Sequence, residues 1–133
     1  MIYFDTNVLI YATIKQDAIK HEVSNQKIKN ALSKNNFCIS PLVFSEYIFT
    51  LSKLKIINDC QDKIAFYEQY IQFSMKKDFV LQAYKKCSKK NKCRNINDFI
   101  HLEIANRYCK TLVTFDNDFK NLEVFYDVEI EIL

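Results

Sequence analysis

Four carboxylates occupy positions where hydration is hard to keep. Asp5 follows the apolar run Ile2-Tyr3-Phe4, and Asp116 follows Leu112-Val113-Thr114-Phe115. Glu46 lies inside an apolar stretch opened by Ser40-Pro41, and Asp98 follows Asn97. A buried charge is tolerated only when it is paired or binds a metal. Two bare carboxylates ~4 Å apart repel by about 4 kcal/mol at an effective dielectric near 20. Four in one pocket therefore call for protonation or a cation. Oxygen ligands suit Mg²⁺ or Mn²⁺, which bind through a few carboxylates and retain waters. Such waters are acidified by the metal and can attack phosphorus, while the metal stabilises the charge that develops.

Each acid also has a plainer reading. Asp5 can cap the helix that follows it. Asp98 in a first helical turn is favoured by the helix dipole. Asp116 and Asp118 can be turn residues. Glu46 resists this treatment, because Leu42, Val43, Phe44, Tyr47, Ile48, Phe49 and Leu51 surround it with apolar side chains. The case for a site rests on the four acting together.

The elements that would bring them together are strands separated by helices. Ile2-Tyr3-Phe4, Phe37-Cys38-Ile39 and 111–115 read as short buried strands, and the alternation of Val128, Ile130 and Ile132 with two glutamates reads as a half-exposed edge strand. The stretch 8–14 suits a strand or a helix by composition. A polar helix opens at Asp17 and runs over 17–34. Ser40 is a predicted N-cap with Pro41 at the first helical position, for a helix reaching about residue 54. Apolar residues at 64, 67 and 71 predict a helix over 59–73, and a further period predicts one from 79 to about 90. Asn97 is the expected cap of a helix over 98–108. Strands alternating with helices imply a parallel sheet covered on both faces, with ligands at the carboxyl ends of the strands. Asp5 and Asp116 both follow their strands directly, so they are expected on one sheet edge.

At 133 residues, 49% hydrophobic and 26% charged, the chain is expected to form one soluble domain over 1–133 with a proper core. It contains no glycine, which excludes a P-loop or a dinucleotide fingerprint. Turns needing positive φ then fall to Asn or Asp, with Asn35-Asn36, Asn117 and Asn121 as candidates. The five cysteines show no zinc spacing, and their odd number without a signal peptide fits free thiols in a reducing cytoplasm. No apolar run approaches the ~18 residues of a membrane span. The net charge of +3 is small, but Lys85, Lys86, Lys89, Lys90, Lys92 and Arg94 crowd together just before Asp98. A basic rim beside an acidic centre suits a phosphodiester-cleaving site, since the acids alone would repel an RNA backbone.

The patterns Asp5-Thr6-Asn7-Val8-Leu9-Ile10-Tyr11, Ser45-Glu46, Asn97-Asp98-Phe99-Ile100-His101-Leu102 and Thr114-Phe115-Asp116-Asn117-Asp118-Phe119 together resemble the PIN-domain ribonucleases, most closely their compact VapC-type toxins. The resemblance runs from Asp5 to the last strand. It implies a three-layer α/β/α fold around a central, mostly parallel sheet of four to five strands, with a helix after Thr6-Asn7. It implies catalytic acids at Asp5, Glu46, Asp98 and Asp116, with Asp5, Asp98 and Asp116 on Mg²⁺ or Mn²⁺. Thr6, Asn7 and Thr114 become supporting donors and Asp118 a secondary acid, while His21 and His101 are assigned to surface or helix packing. The implied activity is endoribonuclease cleavage of structured RNA (tRNA or rRNA) leaving 3′-hydroxyl and 5′-phosphate ends. The implied partners are a second copy and a small antitoxin.

The chain departs from many relatives at Arg107-Tyr108-Cys109-Lys110, where they carry small residues. A haloacid-dehalogenase-type phosphatase also begins with an Asp after a strand, but it needs a second Asp two residues on, and position 7 is Asn. An inactive PIN-like binding module and an RNA-processing PIN nuclease outside any toxin system are the other readings.

Overall fold

The computed structural model describes residues 1–133. Strands β1 (Ile2–Phe4), β2 (Phe37–Cys38), β3 (Thr111–Thr114) and β4 (Glu129–Ile132) form one parallel sheet in the order β2-β1-β3-β4. The helices are α1 (Thr6–Thr13), α2 (Ala18–Ser33), α3 (Pro41–Lys53), α4 (Gln61–Glu68), α5 (Lys77–Lys89) and α6 (Ile96–Tyr108). Short 3₁₀ segments occupy Ile57–Cys60, Cys93–Asn95 and Asn117–Phe125. This is the expected α/β/α arrangement, with four strands. From β1 the chain first steps to β2 and then returns across to β3. That reversal opens a crevice between the carboxyl ends of β1 and β3, where open parallel sheets bind ligands.

Local chemistry explains most boundaries. Asp5 caps α1 through Thr6 N, which settles the ambiguous stretch as helix. Asp17 accepts from Ile19 N and Lys20 N at the start of α2. Ser40 accepts from Val43 N, and Pro41 begins α3. The buried cluster draws Tyr3, Phe4, Leu9, Tyr47, Phe99 and Leu112 into one core.

Two boundaries differ from expectation. The helix expected over 59–73 ends at Glu68, because the following backbone extends the sheet edge: Ile71 bridges Ile39, and Gln72 N donates to Ile39 O at 2.8 Å. Asn97 is not a cap. The helix α6 begins at Ile96, continuing directly from a 3₁₀ turn, and the Asn97 side chain is used elsewhere.

The missing glycines are replaced by other left-handed residues. Asn35 (φ 53°), Lys55 (φ 60°) and Asn91 (φ 52°) each follow a helix end. In each case the residue beyond donates back to the helix, as Asn36 N to Ala31 O, Ile56 N to Leu51 O and Lys92 N to Cys87 O. This is the Schellman arrangement, which glycine usually serves. Asn117 and Asn121 are not among the left-handed residues; they lie in the 3₁₀ segment. Phe73 (φ 70°) is the other case, kept in place by stacking on Tyr108 at 4.2 Å. A left-handed conformation costs an L-residue about 1–2 kcal/mol, against which glycine brings about 0.5–1 kcal/mol of extra chain entropy. Lys55→Gly is therefore expected to stabilise the protein by about 0.5–1 kcal/mol. Urea unfolding reads this directly, and a lowered midpoint would contradict it.

The turn at Asn91 also corrects the cysteine expectation. It returns Lys92 to Cys87, so that Cys87 and Cys93 meet at a Cα separation of 4.9 Å and form a disulfide. Cys38, Cys60 and Cys109 are free.

Candidate active site

The register of β1 against β3 pairs Phe4 with Val113, so Asp5, just past β1, lies beside Thr114, the last residue of β3. Asp5 N donates to Val113 O at 3.0 Å. The Asp5 carboxylate is almost fully buried and carries three donors: Thr6 N on Oδ1 (2.7 Å), and Asn7 Nδ2 (2.7 Å) and Thr114 Oγ1 (2.6 Å) on Oδ2. Asn7 also bonds Thr114 Oγ1 and accepts from Phe115 N, so one amide ties α1 to the end of β3. Burial nonetheless raises the Asp5 pKa, outweighing His101 and the donated hydrogen bonds.

Glu46 comes from the second turn of α3. Its Oε2 accepts from Thr6 Oγ1 at 2.6 Å and contacts His101 Nε2 at 2.9 Å, while Oε1 accepts from Asn97 Nδ2 at 2.9 Å. Burial works to raise its pKa, but His101, Thr6 and Asn97 hold it below the usual carboxylate value. An ionised carboxylate only accepts, so His101 Nε2 must carry the hydrogen.

His101 is the residue that sequence reasoning missed. It is neither on the surface nor simply packed: it is 1% exposed, and its Nδ1 lies 2.7 Å from Tyr3 Oη. Tyr3 Oη in turn lies 2.7 Å from Ser40 Oγ, the α3 cap. A buried polar line thus runs from Ser40 through Tyr3 and His101 to Glu46. Burial opposes the His101 charge, yet the bond to Glu46 and the nearby carboxylates raise its pKa. The signal for it existed in the sequence, because His101 lies one helical turn beyond Asp98 on the same face.

Asp98, in the first turn of α6, is half-buried and receives no hydrogen bond from the chain. Burial and the charges of Asp5, Asp116 and Glu46 push its carboxyl up to about 6, against an opposing pull from His101. Asp116 accepts from Asp118 N at 2.9 Å and caps the 3₁₀ segment after β3. Asp118 itself is exposed. A cleft of about 430 Å³ opens over Asp5, Thr6 and Glu46, walled by Asn7, Tyr11, Phe49 and Thr50.

Distance alone groups Asp5, Glu46 and His101, whose ligand atoms lie within 4.8 Å of one another. The hydrogen bonding argues against this trio as ligands, because the protonated Nε2 has no lone pair to give. Spare acceptor capacity lies on Asp98, with no donor, on Asp116, with one, and on the remaining lone pairs of Asp5. Asp98 and Asp116 fall outside that 4.8 Å group, but their charges act on one another and Asp5 acts on Asp98, and an all-oxygen set of this kind fits a hard divalent cation.

The basic stretch is less uniform than its sequence. Lys85, Lys89, Lys90, Lys92 and Arg94 are exposed, and Lys86 is intermediate. Lys86 is paired with Glu103 and sits 4.3 Å from the Tyr126 ring centroid, and Lys90 lies 5.7 Å from that of Phe125.

The sequence and the fold match a known class. The PIN domain family model covers residues 2–124, and the chain belongs to the PIN-domain family. Among solved structures, the chain is similar to one in the crystal structure of VapBC2 from Rickettsia felis bound to a DNA fragment from their promoter. That match has a TM-score of 0.71 and 24% identity, spanning 100% of this chain and 99% of that one. At this identity the likeness shows a common fold. No curated protein matches the sequence.

Proposed function

We propose that the chain, folded as one domain over 1–133, is a metal-dependent endoribonuclease that hydrolyses structured RNA of the tRNA or rRNA class. We further propose that it acts in the cytoplasm as a homodimeric toxin restrained by a small antitoxin. Membership of the PIN family supports the nuclease class, and the shared fold with a chain of the VapBC2 complex supports the toxin setting. The observation that carries the reading is Asp98: a half-buried carboxyl without a donor from the chain, raised to about 6 first by burial and then by the charges of Asp5, Asp116 and Glu46.

Asp5, Asp98 and Asp116 are the residues that would hold Mg²⁺ or Mn²⁺. When bound, the ion supplies an acidified water and Lewis-acid stabilisation of the phosphoryl charge. Asn7 and Thr114 fix the Asp5 carboxylate in one orientation. Glu46 Oε1, with Asn97 as its one donor, keeps a lone pair able to accept the proton of the attacking water. His101 holds the opposite oxygen and keeps Glu46 ionised. Lys85, Lys89, Lys90, Lys92 and Arg94, with Lys86 paired to Glu103, offset the acid field as RNA approaches.

Purified protein incubated with total RNA is expected to cut only with Mg²⁺ or Mn²⁺ present, leaving 5′-phosphate and 3′-hydroxyl ends. Asp5→Ala serves as the control preparation. Equal cutting by both proteins, or undiminished cutting in EDTA, would overturn the proposal.

A further inference from the structure

The basic stretch before Asp98 attracts attention in the sequence, but the structure sets a different cation beside the acid cleft. Lys20 Nζ lies 4.7 Å from the Tyr11 ring centroid, 5.3 Å from that of Phe115 and 3.4 Å from Tyr11 Oη. The two rings meet edge-on at 5.1 Å. No carboxylate lies within 4.0 Å of Lys20 Nζ, whereas Lys86 is neutralised by Glu103. An ammonium carries three donors. Tyr11 accepts one of them, and no other acceptor in the chain takes the rest.

One supporting ring lines the acid cleft, and the other follows the strand end that bears Thr114. Tyr11 lines the same cleft as Asp5, Thr6 and Glu46. Phe115 lies between Thr114, which bonds Asp5, and Asp116. The helix carrying Lys20 is pinned to α1 by His21 Nδ1 at 2.8 Å from Tyr11 O and by Asn25 Nδ2 donating to Ala12 O at 3.2 Å. Asp17 accepts from Lys20 N, which fixes the start of α2. An unpaired ammonium set against two ring faces is attracted by both. Here the rings hold its charge apart, unpaired and in place before any ligand arrives.

We infer that Lys20, seated between Tyr11 and Phe115, is a phosphate-binding subsite of the cleft, receiving an RNA backbone phosphate next to the one that is cleaved. The inference rests on the nuclease reading above and adds a group that locates the substrate beside the Tyr11 wall of the cleft. RNA is favoured over an acidic protein segment by the neighbouring Phe49, which lines the same cleft and stays 67% exposed, offering a ring on which a base can stack.

The test compares wild type, Lys20→Met, Lys20→Arg and Lys63→Met, the last removing an exposed charge on α4. Each is measured for RNA cleavage with Mg²⁺. Each is also measured, with Asp98→Asn added to prevent cutting, for binding a short single-stranded oligoribonucleotide over a range of salt. Lys20→Met is expected to raise KM and weaken binding roughly three- to ten-fold at low salt, with kcat nearly kept. Its salt dependence should flatten by about 0.7 in log–log slope, the loss of one phosphate contact on a single strand. Lys20→Arg should restore most of the binding. An unchanged Kd and slope in Lys20→Met, or an equal loss in Lys63→Met, would overturn the inference while leaving the nuclease reading intact. Should Lys20→Met unfold, failure of the folded Lys20→Arg to bind any better than a charge-free Lys20→Gln would overturn it as well. Wild type that neither binds nor cuts RNA overturns both.

Discussion

Asp98→Asn is expected to abolish most RNA cleavage and, at neutral pH, to make the metal-free protein more stable. The two effects have one origin. Asp98 faces the charges of Asp5, Asp116 and Glu46 without a single donor from the chain. A cation held by such a carboxylate supplies several kcal/mol of transition-state stabilisation, and each ~1.4 kcal/mol is a factor of ten. A loss of roughly 10²–10³-fold in kcat is the expected result. For stability, the folded carboxyl titrates near 6 against 3.8 for the free side chain. Between those values the folded state holds the proton more tightly than the unfolded state, so stability falls as pH rises through the window. Asp5 shifts in the same direction. Asn carries no charge and escapes this loss. The α6 dipole opposes the gain by about 0.3–1 kcal/mol, since it favours an acid in the first turn. Unfolding curves of both proteins at pH 4 and pH 7 measure the balance. A variant less stable than wild type at pH 7 and equal to it at pH 4 would contradict the account.

His101→Leu is the second large effect. Losing the imidazole removes a donor from Glu46 and leaves the fully buried Tyr3 hydroxyl with Ser40 as its one partner. Groups that orient a metal site or its base are worth about 10–100-fold when removed, and that is the expected loss in kcat with KM little changed. An under-satisfied buried hydroxyl adds about 1–3 kcal/mol of destabilisation. His101→Gln can still donate to Glu46 and should recover part of the rate. If His101→Leu cuts RNA as fast as wild type, His101 is a packing residue and Glu46 needs no support from it.

The fold was legible where single residues dictate local structure. Asp17, Ser40 and Pro41 mark their helix starts chemically, and the short apolar runs before Asp5 and Asp116 read as buried strands, as β1 and β3 are. Their parallel pairing then brings Asp5 to the crevice beside β3. What could not be read depends on partners distant in sequence. The helix after Asp59 stops at Glu68 because Ile39, thirty-odd residues earlier, takes the backbone of Gln72. His101 looks like any helix-face histidine until Tyr3 and Glu46 are placed around it from two other elements. Lys20 is one lysine among many until folding sets it against Tyr11 and Phe115. The Cys87–Cys93 disulfide follows from the left-handed turn at Asn91, which sequence spacing does not announce.

The central claim is that distant acids converge to hold a divalent cation, and Mn²⁺-dependent thermal unfolding tests it most directly. Binding to the folded state alone stabilises by about 2.7 kcal/mol at a hundred times Kd. For a domain of this size that corresponds to a rise of roughly 5–10 °C in Tm. Wild type is expected to show this rise, and Asp98→Asn and Asp116→Asn to lose most of it. Identical Tm values with and without Mn²⁺ in wild type, or equal shifts in all three proteins, would contradict the claim.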